Sequence, residues 1–172
     1  MKDLIDMLVE CGAVRFGDFT LTSGKKSPYY VDIKMASTRP DVLKRMAGEM
    51  APLVKGQFLA GMELGAVPLM VAVALETGKP YVIIRKGDRS HGTAKQIEGS
   101  LPGGAEVTLI EDVVTTGGSS VKSVGVLQGA GASVIQLIAV VDREEGGVDS
   151  IGPMDIEFIP LVRASQLLKR KG

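Results

Sequence analysis

Apolar positions follow two rhythms along this chain, and each change of rhythm marks an element. Leu4, Ile5, Leu8 and Val9 share one helical face, with Gly12 as a stop. Phe19 and Leu21 alternate with polar neighbours, Ser23-Gly24 can turn, and Tyr29, Val31 and Ile33 alternate again, which predicts a hairpin-like strand pair beside the main sheet. Thr38 and Pro40 read as a helix start, the hydroxyl as cap and the proline in the first turn, ahead of an apolar face of Val42, Leu43, Met46, Ala47 and Met50. Short strands are expected at 57–62, 81–84 and 156–160, a strand edge at 97–100, an apolar helix at 67–76 and a closing helix at 164–168. Residues 107–110 form a buried strand ahead of a polar loop, and Val121, Val124, Val126 and Leu127 mark the helix beyond it. The longest apolar run, 134–141, reads as a strand buried on both faces. Strands separated by helices predict an α/β fold around a mostly parallel sheet. No linker, repeat or low-complexity segment interrupts the chain, so 1–172 is read as a single domain.

Composition narrows the function without naming it. Hydrophobic residues make up 45%, and 20 basic residues balance 20 acidic ones, so nothing recommends nucleic acid as a partner. The short tail Lys169-Arg170-Lys171 is better read as a solvated helix end. Cys11 is the only cysteine and excludes an internal disulfide; no Cys/His spacing suggests zinc. The opening Met-Lys-Asp-Leu-Ile-Asp-Met-Leu reads as an amphipathic helix and not a signal peptide. The lone cysteine makes a reducing cytoplasm the expected setting, and no apolar run approaches the roughly 18 residues that span a bilayer, so no membrane association is expected.

The chemistry concentrates in 107–120. After the apolar strand come Glu111 and Asp112, then Thr115, Thr116, Gly117, Gly118 and Ser119 at the start of a helix. Free backbone N–H groups and the helix dipole favour an anion there, glycine allows close approach, and the hydroxyls add donors. Two carboxylates beside such a cradle are electrostatically awkward unless a group with hydroxyl donors lies between. A ribose carrying a 5-phosphate satisfies both halves. A second loop, 85–95, has no hydrophobic period and collects Arg85, Lys86, Arg89, Lys95 and the only histidine, His91. Such loops can close over a reactive centre and exclude water.

The central stretch resembles the phosphoribosyl pyrophosphate (PRPP) signature of the type I phosphoribosyltransferases. The order Phe-x-Leu-x-Ser-Gly-x-x-Ser-Pro-x-Tyr-x-Asp, from Phe19 to Asp32, is similar to the amino-terminal signature of the orotate phosphoribosyltransferases. The resemblance implies the type I phosphoribosyltransferase fold, with 1–38 and part of the C-terminal tail forming a hood over the carboxyl edge of the sheet. It also implies transfer of ribose 5-phosphate from PRPP to N1 of orotate in de novo pyrimidine (UMP) biosynthesis, by an enzyme without a fused decarboxylase. Ser23, Gly24 and Tyr30 would then meet the pyrimidine, and Arg143 of the Asp142-Arg143 pair its carboxylate. Glu111 and Asp112 would hold the ribose, and Thr115, Thr116, Gly117, Gly118 and Ser119 the 5-phosphate.

The catalytic loop of the family, Arg-Lys-x-x-Lys-x-His-Gly, matches at Arg85, Lys86 and His91. Lys86, Arg89 and His91 are implied around the departing pyrophosphate, and His91 as a proton donor. The resemblance further implies Mg2+, bound through pyrophosphate and ribose oxygens, with no direct protein ligand assigned and Asp112 as a contact through water. It implies a homodimer whose loop 85–95 works in the neighbouring subunit's site. Three positions depart from a lysine common in the family: Thr22, Leu64 in the pyrophosphate loop, and Arg89, where a planar fork replaces a compact ammonium. Two alternatives stay open: transfer to a different base, and a non-catalytic regulator of this fold that senses PRPP.

Overall fold

Strands β1 (Val14–Thr20) and β2 (Lys26–Val31) pair antiparallel as a separate two-stranded sheet. The computed structural model, which describes residues 2–20, 24, 26–87 and 96–170, gathers six further strands into one sheet. These are β3 (Phe58–Met62), β4 (Tyr81–Ile84), β5 (Ile97–Glu98), β6 (Glu106–Val114), β7 (Ser133–Asp142) and β8 (Glu157–Arg163), in the spatial order β5-β4-β3-β6-β7-β8. All neighbours are parallel except β5, which pairs antiparallel with β4 at the edge.

The central strands read as continuous apolar runs because helices cover both faces. Alternate residues serve opposite sides. Ile110, Ile138 and Val140 pack with α1 (Leu4–Glu10), α2 (Ile33–Ser37), α3 (Pro40–Met50) and α4 (Ala66–Thr77). Leu109, Leu137 and Ala139 pack with α5 (Gly118–Gly129) and α6 (Gly147–Ile151). Leu167 of α7 (Ala164–Lys169) joins the first core, and Arg170 pairs with Asp3 and Asp6 at the start of α1, so the two ends of the chain meet there.

Several sequence expectations shift. Ile33 does not continue the hairpin: Asp32 accepts a hydrogen bond from the Met35 amide and starts α2, turning the apolar side chain into the core. Thr38 caps no helix start; its hydroxyl donates to the Met35 carbonyl at the end of α2, and α3 begins at Pro40 behind Arg39. Val121 is exposed, because the buried face of α5 is Ser120, Ser123, Val124 and Leu127. The largest change is in β6, which does not stop before the acids. Val113 and Val114 continue the ladder against Val141 and Asp142 of the long neighbour β7, so Glu111 and Asp112 lie within the strand.

At the amino-terminal end of the sheet, two fully buried polar side chains tie down the segment that leads into β3. The Gly56 amide donates to Thr108 Oγ1 at 2.9 Å, the Lys55 amide to Gln136 Oε1 at 3.1 Å, and Gln136 Nε2 to the Leu53 carbonyl at 3.0 Å. Buried polar groups of this kind persist because their bonds are made. The opposite, carboxyl-terminal edge is where turns and glycines collect.

Candidate active site at the carboxyl edge of the sheet

Because β6 runs through the acid pair, its pleat sends the two carboxylates to opposite faces. Glu111 turns toward α5 and is 4% exposed, with Ser120 Oγ donating to its Oε1 at 3.3 Å. Burial, reinforced by the neighbouring Asp112 charge and opposed by the Ser120 hydrogen bond, raises the Glu111 carboxyl to about 7. Asp112 turns toward α4 and α2. Its Oδ1 accepts from the Val113 amide at 2.8 Å, and Lys34 Nζ of α2 lies 4.0 Å from its Oδ2.

The raised acid carries a stability consequence. Its folded state holds a proton that the unfolded chain releases near 4.5, so this stabilisation is complete below about 4.5 and is lost as pH rises through about 7. The loss should amount to roughly 3 kcal/mol for the ligand-free protein. Glu111→Gln should flatten that part of the profile in urea unfolding between pH 5 and 8. Parallel slopes for the two proteins would remove this account of Glu111.

Beyond Val114 the chain turns through Thr115 and Thr116 to Gly117, whose φ of 83° opens α5. No side chain caps this helix, so its first amides are left to a ligand, with Thr116, Gly118 and Ser119 exposed around them. The turn is braced from behind by α6, where Ser150 Oγ donates to the Thr116 carbonyl at 2.7 Å. A side chain at Gly117 would press on Ser150 Cβ at 3.0 Å. The arrangement can bind a phosphate with backbone donors while Glu111 and Asp112 accept from hydroxyls ahead of it.

A second turn, from Glu63 to Gly65, joins β3 to α4 and includes a cis peptide between Glu63 and Leu64. Leu64 is 73% exposed and so does not serve core packing. Gly65 lies directly against the Asp112 carboxylate: a Cβ there would stand 2.7 Å from Asp112 Cγ and closer still to Oδ2. Between the two turns opens a cleft of about 560 Å3, lined among others by Lys34, Lys86, Glu111, Asp112 and Ser119. A larger hollow of about 890 Å3 lies between α1 and α3, but most of its charges are already paired, Lys2 with Glu10, Arg39 with Asp41 and Arg45 with Glu49. The smaller cleft, where carboxylates, a lysine and free helix amides converge, is the candidate site.

The loop bases meet this cleft from the side of β4. Arg85 donates from Nη1 to Glu98 at 2.9 Å, and its Nε lies 3.2 Å from Glu63 but off the line of a hydrogen bond. Glu63 also accepts from the Lys86 amide at 2.7 Å, leaving the Lys86 side chain exposed on the cleft. Arg89 and His91 lie outside the described residues, as do Ser23 and Thr22.

Between β1 and β2, Gly24 is exposed with φ 80°. Tyr30 stacks with Phe19, ring centroids 5.7 Å apart, under the Arg15 guanidinium at 5.0 Å. Its neighbour Tyr29 faces the other way, 4% exposed, with the Arg143 guanidinium 5.0 Å over its ring. Arg143 itself is placed by its amide, which donates to the Val114 carbonyl at 2.9 Å.

Sequence reading alone missed Tyr29, Lys34 and Glu63. Tyr29 and Tyr30 cannot be told apart until the hairpin register is known. Lys34 reaches the acid pair only because Asp32 ends the hairpin in a helix cap. Among the described residues no group of three or more His, Cys, Asp or Glu side chains could hold a metal. The diverging pair Glu111 and Asp112 suits a metal reached through substrate oxygens better than one held by the protein alone.

Comparison with known proteins fits this geometry. Residues 46–157 match the phosphoribosyl transferase domain family. The chain is similar to an orotate phosphoribosyltransferase of Thermoplasma acidophilum, 50% identical over 167 residues that cover 97% of each chain. The crystal structure of orotate phosphoribosyltransferase from Aeropyrum pernix superposes with a TM-score of 0.86 at 30% identity, covering 99% of this chain and 98% of that one. Leishmania donovani UMP synthase gives a TM-score of 0.86 at 33% identity; the match covers 98% of this chain but 38% of that longer one. With relatives this similar matching nearly end to end, and the paired-acid strand running into an uncapped helix as the motif demands, the chain belongs to the orotate phosphoribosyltransferase family.

Proposed function

We propose that this protein transfers ribose 5-phosphate from PRPP to N1 of orotate, giving orotidine 5-monophosphate and pyrophosphate in pyrimidine nucleotide synthesis. The observation that carries the reading is the bond from the Arg143 amide to the Val114 carbonyl. It supports the reading because Arg143, the candidate for the orotate carboxylate, lies beside the strand end that bears the acid pair and the glycine turn. In the reaction the C1–oxygen bond to pyrophosphate breaks, its electron pair leaves with pyrophosphate, and N1 of orotate, having lost its proton, bonds to C1.

The residues divide the work by charge. The first turn of α5, with Thr115, Thr116, Gly117, Gly118 and Ser119, holds the 5-phosphate. Glu111 and Asp112 accept from the ribose hydroxyls and favour the positive charge that grows on the sugar. Donation by those hydroxyls favours the ionised form of Glu111. Lys86, at the rim of its own cleft, would act with Arg89 and His91 of the same loop on the pyrophosphate side of the partner's site in the dimer proposed below; His91 can donate a proton to the leaving group. Arg85, already paired with Glu63 and Glu98, would contribute through the base of that loop. Arg143 meets the orotate carboxylate, and Ser23, Gly24 and Tyr30 bound the base from the hood. Mg2+ bound through pyrophosphate and ribose oxygens would neutralise the leaving group, with Asp112 the carboxylate that reaches it through water.

We further propose a homodimer in which loop 85–95 serves the partner's site. Supporting it, α4 is mostly apolar and leaves Leu75 82% exposed, near Tyr81 of β4 at 40%, an apolar pair that a neighbouring subunit could cover. No helix among the described residues is long and apolar enough to cross a membrane. The cytoplasm is the proposed setting, on the family resemblance. Mixing the protein with PRPP and Mg2+ should deplete orotate absorbance while uracil, adenine and hypoxanthine remain unchanged. Use of another base would replace the substrate, and PRPP binding without turnover of any base would replace the enzyme by a sensor.

A further inference from the structure

The turn that follows β7 is built around one arginine. Asp142 Oδ1 accepts from the Glu144 amide at 2.8 Å, and Glu144 adopts φ 56°, a left-handed conformation unusual for a side chain of its kind. The Glu144 carboxylate is occupied elsewhere: it takes the Ser165 amide at 2.6 Å and the Ser165 hydroxyl at 3.2 Å, at the start of α7. This reversal brings Glu145 back over the chain, where its Oε1 accepts from Arg143 Nε at 2.8 Å. The carbon of the same guanidinium lies 5.0 Å over the Tyr29 ring. The Arg143 side chain is only 10% exposed, against 28% for Glu145.

Two contacts thereby restrain the arginine. The Tyr29 ring packs against the guanidinium, and Glu145 holds its Nε. Since Glu145 takes Nε, the end presented is the pair of terminal nitrogens, which make no hydrogen bond to a described carboxylate or carbonyl. A planar carboxylate pairs with such an end through two parallel hydrogen bonds. We infer that Glu145 is a positioning residue for base recognition, holding Arg143 end-on to the carboxylate of the pyrimidine substrate. This rests on the reading of Arg143 as the partner of the orotate carboxylate. The other geometric option, in which Glu145 occupies the place of the substrate carboxylate and must be displaced, predicts the opposite sign when Glu145 is removed.

Steady-state kinetics of the full chain separate these cases. Glu145→Ala, and Glu145→Leu as a variant that keeps bulk without an acceptor, should raise KM for orotate by about tenfold, as expected when a reacting group is let out of register. KM for PRPP and the melting temperature should stay unchanged. Glu145→Gln should recover most of the loss, because its amide oxygen still accepts from Nε. In an Arg143→Ala background, Glu145→Ala should add nothing further. An orotate KM that is unchanged or lower in Glu145→Ala, or an equal loss with and without Arg143, overturns the inference. If Arg143→Ala itself leaves orotate KM unchanged, the reading of Arg143 fails and this inference fails with it. If only the Glu145 variants are silent, Arg143 keeps its role.

Discussion

Asp112→Asn should lower turnover by about 10²-fold or more, the scale seen when one preorganised electrostatic partner of a transition state is removed. Folding should be almost untouched. The amide oxygen of asparagine can still accept from the Val113 amide, and Lys34 at 4.0 Å is a weak, partly exposed partner. Removing the charge also relieves the repulsion that helps raise Glu111. The measurement is kcat beside the melting temperature, and normal turnover in a protein of unchanged melting temperature would end the assignment. The same variant tests the shared site. Mixed with Lys86→Ala subunits, it should regain activity, since one of the two sites in each heterodimer then has an intact acid pair and an intact loop. No recovery after verified subunit exchange would mean that each chain serves itself.

Gly65→Ala should be nearly as damaging through a different route. Gly65 has ordinary helical dihedrals, φ −62° and ψ −40°, so alanine brings no backbone strain. What it brings is a methyl group in the space of the Asp112 carboxylate, 2.7 Å from its Cγ. A short side chain can swing aside at a stability cost of about 1 kcal/mol. It cannot do so and keep its place in the cleft, and a displacement of about 1 Å in a reacting constellation can cost roughly 10²-fold. Activity near that of the original protein would show that Asp112 has another position equally good for catalysis. A large fall in stability would show that the methyl is absorbed by the backbone instead.

How far the sequence could anticipate this site depends on the range of the forces involved. The apolar runs of β6 and β7, the glycine turn at Gly117 and the helix after it are local patterns, and they appear close to where periodicity places them. The end of β6 was not local. Glu111 and Asp112 look like loop residues until β7 supplies partners as far as Asp142. Only then does the pleat separate the carboxylates, burying one and leaving the other at the cleft. The helices α2 and α6 are five residues each, too short to show a period, and one opens on a left-handed glycine. Lys34 and Tyr29 depend on where the hairpin stops and which side it shows to Arg143. The turn at Arg143 depends on Glu144 being held by Ser165, which lies 21 residues beyond Glu144. Hydrogen bonds at that separation leave no rhythm in a sequence.

Among the described residues, the β1-β2 sheet and the main sheet share no ladder of backbone hydrogen bonds. What joins them near Arg143 is the contact of its guanidinium with the Tyr29 ring, an exchange between side chains. On the proposed reading, the main sheet handles sugar and phosphate, while the base lies where the two-stranded sheet meets Arg143 after β7. Substitutions along that seam would then retune which ring is accepted while leaving the strand, the glycine turn and the acid pair in place. On that reading, the choice of base and the chemistry of transfer are separable inheritances.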